Sequence, residues 1–339
     1  MKILLIFTGG TISMVRNPET GALRPADTQT FRKFVPELEA GEAQIDMLPF
    51  DPLIDSSDVN PDNWAKMARA VYDHYDQYDA FVVLHGTDTM SYSASALSFM
   101  LSGLTKPVIF TGSQLPVGSP RTDGKENLVS SIEIASAKDA DGRATVPEVA
   151  IFFNSRLFRG NRATKADSSS FGAFTSPNCP PLAEAGINIR YNKAAIRQYD
   201  GRPLEVQTEL DTRVTILKIH PGITRETTGY FLRDPGSRAV IMETYGSGNA
   251  ISKPWFTDIV SEACGKGKII LNVTQCQAGE VDMNIYATGK TLKAAGVISG
   301  RDITTEAALG KLFCLMGKFP DNKTVKELLE SNLRGEISE

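Results

Sequence analysis

The sequence predicts an α/β protein: a larger N-terminal domain built on a doubly wound, mostly parallel sheet, and a smaller C-terminal α/β domain. Three observations point there. Short runs at Ile3–Phe7, Phe81–Leu84, Val108–Phe110 and Val149–Phe153 are apolar at every position, as central strands buried on both faces are. Segments of helical period lie between them. Beyond Ile189 the apolar period fades, and a second set of runs follows. Strands alternating with helices imply βαβ units and a parallel sheet covered on both faces.

Each element can be justified in order. Met1-Lys2 and the run to Phe7 have the outline of a signal peptide. The run is too short, however, and meets Thr8-Gly9-Gly10-Thr11 instead of a small-residue cleavage site. It therefore reads as the first strand. A second is expected near Ile45–Leu48. Asn60 is a good N-cap with Pro61 at the first helical position. Trp64, Met67, Ala68, Val71 and Tyr75 then share one face. A helix after Asp88 carries Met90, Ala94, Leu97 and Leu101 as its stripe, and a third spans about Lys125 to Ala137. The domains expected are residues 1–189, a polar linker over 190–212 that includes Asn192, Asp200 and Gly201, and residues 213–339. In the last, strands are expected at Val214–Lys218, Ala239–Met242 and Lys268–Val273, with helices near Thr305–Met316 and Val325–Leu333. There is no internal repeat and no low-complexity tract.

Composition narrows the class. The chain has 339 residues, 41% hydrophobic and 22% charged, as globular proteins do. A net charge of -4 argues against a nucleic-acid partner. Cys179, Cys264, Cys276 and Cys314 form no CxxC pair, and three histidines are too scattered for a zinc site. Reduced thiols and a cytoplasmic setting are expected. No stretch reaches membrane-span length. Neither metal nor organic cofactor is expected.

Polar residues gather just past the strands. Thr8-Gly9-Gly10-Thr11 follows the first, Asp55-Ser56-Ser57-Asp58 the second, His85-Gly86-Thr87-Asp88-Thr89 the third and Thr111-Gly112-Ser113-Gln114 the fourth. In open α/β sheets, ligands bind beyond the carboxyl ends of the strands. The fingerprints of dinucleotide enzymes, P-loop proteins, zincins and nucleophile-elbow hydrolases are missing. Clustered hydroxyls with one carboxylate favour acyl transfer to a hydroxyl nucleophile. No Ser-His-Asp set is evident, and a lysine held neutral by burial would serve as base. Glycines let backbone N–H groups approach an oxyanion. Each motif alone has a plainer reading. Thr8–Thr11 would be a turn corner, Asp88 a helix cap, Lys165 a solvated lysine, Cys276 a packed thiol, and His85 a side chain bonded to backbone.

Taken together the motifs resemble the asparaginase/glutaminase family. Thr8-Gly9-Gly10-Thr11-Ile12 resembles its first signature and His85-Gly86-Thr87-Asp88-Thr89-Met90 its second. Gly160-Asn161-Arg162-Ala163-Thr164-Lys165 resembles the segment carrying its catalytic lysine. The likeness continues through Tyr245–Asn249 and Gln275-Cys276 to Tyr286–Gly289, nearly the whole chain. The Asp55–Asp58 loop and the run ending in Lys165 resemble the cytoplasmic, type I bacterial branch. The resemblance implies L-asparagine as substrate, hydrolysed to L-aspartate and ammonia. It makes Thr11 the nucleophile and Thr87 a second threonine beside Asp88 and hydrogen-bonded to Lys165. Asp88 would hold the substrate ammonium, Ser56 its α-carboxylate, and Ser57 and Ser113 would flank it. Asn249 and Glu280 match positions that complete sites across a subunit interface. A homodimer or homotetramer and allosteric activation by asparagine also follow from the likeness. The chain departs from the family at one point. Relatives carry a tyrosine on the loop after the first signature, whereas Met14–Pro25 has none and places Ala22 and Leu23 there. Tyr286 is then the candidate phenol. The competing functions are a glutaminase-asparaginase of broader preference, a tRNA-amidotransferase subunit, and a non-catalytic amino-acid sensor.

Overall fold

A computed structural model of the chain describes residues 1–16, 21–199 and 201–339. The loop Met14–Pro25 and the stretch 190–212 each include positions outside the described residues. Two compact units emerge, Met1–Thr208 and Glu209–Glu339.

The first unit holds strands β1 (Lys2–Gly9), β2 (Gln44–Ile54), β3 (Ala80–Leu84), β4 (Val108–Thr111), β5 (Val149–Phe153), β6 (Arg156–Arg159), β7 (Ala183–Ala185) and β8 (Ile189–Tyr191). They form one sheet in the order β8-β7-β6-β5-β4-β3-β1-β2. β2, β1, β3, β4 and β5 are mutually parallel, with Leu5 opposite both Met47 and Val82. From β5 outward the pairing is antiparallel. Helices α1 (Pro61–Asp73), α2 (Met90–Met100) and α3 (Gly124–Ser136) are the principal connections. α1 begins as its sequence dictates: Asn60 Oδ1 accepts from Asp62 and Asn63 N–H, and Asn63 Oδ1 accepts in return from Asn60 N–H. Ile3, Leu5, Phe7, Val82, Leu84 and Ile109 anchor the core.

Two expectations need correction. β2 runs on to Ile54, because an edge strand is held by its backbone and tolerates the exposed residues and prolines at its far end. The expected linker is partly structure. Ile189–Tyr191 is the outer strand β8, and Glu205–Val206 pairs antiparallel with Leu101–Ser102. Backbone pairing at an edge needs no apolar side chains, so these segments read as polar linker.

The second unit carries β9 (Val214–Lys218), β10 (Ala239–Thr244), β11 (Ile269–Thr274) and the short β12 (Ile298–Ser299), a parallel sheet in that order. Helices α4 (Arg225–Arg233), α5 (Pro254–Gly265), α6 (Ala287–Ala294), α7 (Thr305–Lys318) and α8 (Asn322–Leu329) accompany it. Its own core is built on Val240, Met242, Phe256, Ile259 and Ile270. Among the described residues no helix is long and apolar enough to cross a membrane.

Candidate active site

The strand order 2-1-3-4-5 reverses direction between β1 and β3, the switch point beyond whose carboxyl ends open α/β sheets take their ligands. Gly9 (φ +133°) and Gly10 (φ +83°) give the turn after β1 a path that residues with a Cβ rarely take. A Cβ on Gly10 would run into the Gly86 backbone, and one on Gly86 would run into the Ser56 side chain. The loops after β1, β2 and β3 are therefore in van der Waals contact. Thr8 Oγ1 fastens β1 to β3 by donating to the Leu84 carbonyl at 2.6 Å. Ser13 closes the turn around Thr11, its N–H and hydroxyl both reaching the Gly10 carbonyl, at 3.0 and 2.6 Å.

His85 supports this loop from behind. Trp64 Nε1–H can only donate, and it meets Ser93 Oγ at 2.9 Å. The Ser93 hydroxyl then donates to His85 Nε2 at 2.9 Å, which leaves Nδ1–H to donate to the Gly86 carbonyl at 2.7 Å. The imidazole is fully enclosed, and burial pushes its pKa down to about 4. His85 is a neutral strut.

The reactive cluster begins two residues further on, at Thr87. Lys165 Nζ donates to Thr87 Oγ1 at 2.9 Å and to Asp88 Oδ1 at 2.6 Å. The Lys165 side chain is 17% exposed, whereas that of Asp88 is 64% exposed and offers its other oxygen to solvent. Lys165 Nζ is thus shared between a hydroxyl and a carboxylate oxygen. Thr87 Oγ1 donates in turn to Gln114 Oε1 at 3.2 Å. Lys165 reaches the site from a two-stranded hairpin in which Thr164–Lys165 pairs with Phe174–Thr175.

The other expected residues are distributed unevenly. Thr11 opens a 3-10 turn directly after Gly10 and is half-buried. Ser56 is buried beneath Gly86, and its carbonyl accepts from Thr89 Oγ1 at 2.7 Å. Ser57 is exposed, with its N–H and hydroxyl both 3.0 Å from Asp55 Oδ1. Ser113 is buried, and its hydroxyl is used by the Leu115 carbonyl at 2.5 Å. Tyr286, Asn249 and Glu280 belong to the second unit. There Tyr286 is exposed at the start of α6, Asn249 Oδ1 accepts from Thr288 Oγ1 at 2.8 Å, and Glu280 is exposed. Sequence reasoning quoted Gln114 as part of a loop but gave it no role, and it missed Ser170. The signal for Gln114 was its place just past β4, beside the other site loops. Among the described residues no three His, Cys, Asp or Glu side chains gather as a metal site would require.

Residues 2–197 match the family described as "Asparaginase, N-terminal", and residues 213–329 match the "Glutaminase/Asparaginase C-terminal domain". The chain belongs to the asparaginase family. Among curated relatives, this asparaginase-family chain is 42% identical to L-asparaginase 1 of Escherichia coli (strain K12), over 99% of its own length and 98% of that protein. Among solved structures it resembles L-asparaginase I of Vibrio cholerae, with a TM-score of 0.89 and 39% identity over 99% of each chain. It also resembles the thermostable L-asparaginase of Thermococcus kodakarensis, with a TM-score of 0.91 and 30% identity over the full length of both.

Proposed function

We infer that this chain is an amidohydrolase that converts L-asparagine to L-aspartate and ammonia. The observation that carries the reading is the Thr87–Asp88–Lys165 cluster beyond β3, whose loop touches, through Gly86, the glycine turn that precedes Thr11 beyond β1. Full-length identity to L-asparaginase 1 supports the same substrate.

In the mechanism that best fits this arrangement, the substrate lies over the joined loops beyond β1 and β3, with Thr11 on one side and the Thr87–Asp88–Lys165 cluster on the other. The exposed oxygen of Asp88 takes its ammonium, and Ser56 and Ser57 line the end that takes its α-carboxylate. Thr11 Oγ1 attacks the side-chain amide carbon. The carbon–nitrogen bond breaks, and the Thr11 proton ends on the leaving nitrogen, which departs as ammonia. An aspartyl ester remains on Thr11. Water adds to the ester, its proton returns to the threonine oxygen, and L-aspartate leaves. Lys165 stabilises charge at Thr87 and Asp88 throughout. Ser113 acts by shape, since its hydroxyl is already used. Asn249, Glu280 and Tyr286 are assigned to completing the site in a homodimer or homotetramer, which is also where activation by asparagine would act. The Asp55–Asp58 loop and the run ending in Lys165 support the cytoplasmic, type I assignment.

The test is ammonia release from L-asparagine and from L-glutamine over a wide concentration range. Thr11→Ala and Thr87→Ala are each expected to lower kcat by at least ~10³-fold, the scale seen when one member of a nucleophile set is lost. Near-normal turnover by either variant sinks its assignment. Equal turnover of both amides would make the enzyme a glutaminase-asparaginase.

A further inference from the structure

We propose that Gln114 is a positioning residue that sets the direction of the hydrogen bond between Lys165 and Thr87. The inference rests on the reading of Thr87 and Lys165 given above, and it follows from donor and acceptor chemistry. The Ser170 carbonyl can only accept, and it lies 2.9 Å from Gln114 Nε2. That contact fixes the amide: its NH2 faces Ser170, and its oxygen faces Thr87. The oxygen in turn can only accept, so the Thr87 hydroxyl proton points toward it across 3.2 Å. The Thr87 oxygen then presents its lone pairs elsewhere, and Lys165 Nζ donates to it at 2.9 Å. Every bond in the series runs one way, from Lys165 Nζ through Thr87 and Gln114 to the Ser170 carbonyl.

The two ends of the series belong to one hairpin. Lys165 lies in its first strand, and Ser170 lies in the connecting turn before the second strand, Phe174–Thr175. Asp167 shapes that turn by accepting from Ser169 and Ser170 N–H at 2.7 and 2.9 Å. Gln114 is held from the other side, because its backbone N–H points at both oxygens of Asp123, at 3.1 and 3.0 Å. Asn127 then ties Asp123 to the Gly112 carbonyl. Thr87 is thus gripped between a loop fixed by α3 and a hairpin that supplies both its donor and the anchor of its acceptor. Gln114 thus keeps the resting Thr87 hydroxyl proton directed away from Lys165, so that Thr87 meets Lys165 Nζ as the acceptor.

The experiment compares kcat, KM and the pH profile of kcat/KM for the wild type, Gln114→Leu and Gln114→Glu. Gln114→Leu removes the acceptor, and kcat is expected to fall ~10–100-fold with KM for L-asparagine changed less than about 3-fold. Gln114→Glu keeps size and shape but sets two acceptors, its carboxylate and the Ser170 carbonyl, against each other. The wild-type pattern returns only when the new carboxyl is protonated and its O–H donates to Ser170. Activity of Gln114→Glu relative to wild type is therefore expected to rise as pH falls through the carboxyl range, about 4 to 6. A merely structural glutamine would lose activity without that dependence, so a constant ratio across pH overturns the proposal even if Gln114→Leu fails to fold. Wild-type kcat in Gln114→Leu overturns it too. If Thr87→Ala also turns over normally, the underlying site is misread; if Thr87→Ala is inactive while Gln114→Leu is not, only this inference falls.

Discussion

His85 stands just past the end of β3 with both ring nitrogens engaged, and a second proton would have to reverse the Ser93 bond and turn its hydroxyl hydrogen elsewhere. An exposed imidazole titrates near pH 6.5, while burial holds this one at about 4. Above pH 6.5 folded and unfolded chains both carry it neutral, and it makes no pH-dependent contribution. Between 6.5 and 4 the unfolded chain binds a proton that the folded chain refuses. Stability then falls by ~1.4 kcal/mol per pH unit, to a total on the order of 3 kcal/mol, and below 4 this loss levels off. Urea unfolding at pH 7 and pH 5 should show the drop, and His85→Gln should reduce it by about 2 kcal/mol. An unchanged pH dependence in His85→Gln would place the titrating group elsewhere. At this scale the sequence was read unevenly. The pairing of Lys165 with Thr87 was legible because each sits in a recognisable motif. The service of Gln114 to Thr87 was not, because hydrogen-bond polarity depends on which group lies on the far side. Here that group is a backbone carbonyl in the polar run Asp167–Ser170.

Between elements, the site depends on how closely three strand ends approach one another. Gly86 is one tight point whose φ is ordinary: a Cβ added there would lie 2.6 Å from Ser56 Cβ, an atom fixed to its own backbone. Gly86→Ala should therefore push the Ser56 loop away from the loop that carries Thr87. Overpacking of this kind costs ~1–3 kcal/mol of stability, and a misplacement near 1 Å costs on the order of 10²-fold in activity. The expected result is a fall of that size in kcat/KM with KM raised, measured on protein that still unfolds cooperatively. Wild-type kinetics would mean that the loops yield freely and that Ser56 takes no part in binding. The elements that make this junction were the legible ones. β1, β3, β4 and β5 are apolar at nearly every position because both faces are covered, and Asn60-Pro61 announces α1. β6, β7 and β8 were not foreseen, since Arg156, Glu184 and Arg190 interrupt their patterns. An antiparallel edge can expose such side chains because its bonds come from the backbone. β12, only two residues long, leaves too little pattern to find.

At the scale of the whole molecule each unit is stabilised by its own core, and the second adds a feature that sequence reading passed over. Lys311 lies within the apolar helix α7 and is completely enclosed, as is Glu336, twenty-five positions later and past the end of the C-terminal family match at residue 329. Their charged atoms are 2.7 Å apart, and Lys311 Nζ also donates to the carbonyls of Leu329 and Ser331. Burial pushes the Glu336 carboxyl up, but Lys311 and the N–H groups of Leu333 and Arg334 outweigh it and hold the carboxyl below its ordinary range. The chain after α8 is thus folded back and locked to α7 by charge. Desolvation offsets most of what such a pair gains, yet removing one partner strands the other charge in a dry interior at a cost of ~3–5 kcal/mol. Lys311→Met should lose that much, and the combined Lys311→Met and Glu336→Gln change should lose distinctly less. The residual loss would come from the Leu329 and Ser331 carbonyls, which are left without their donor. Urea unfolding measures the total, and amide exchange in β10 and β11 reports whether the loss is felt in the second sheet. If Lys311→Met unfolds within about 0.5 kcal/mol of wild type, water or a rearranged tail has met the charge of Glu336, and the C-terminal segment is packed against α7 without being locked to it.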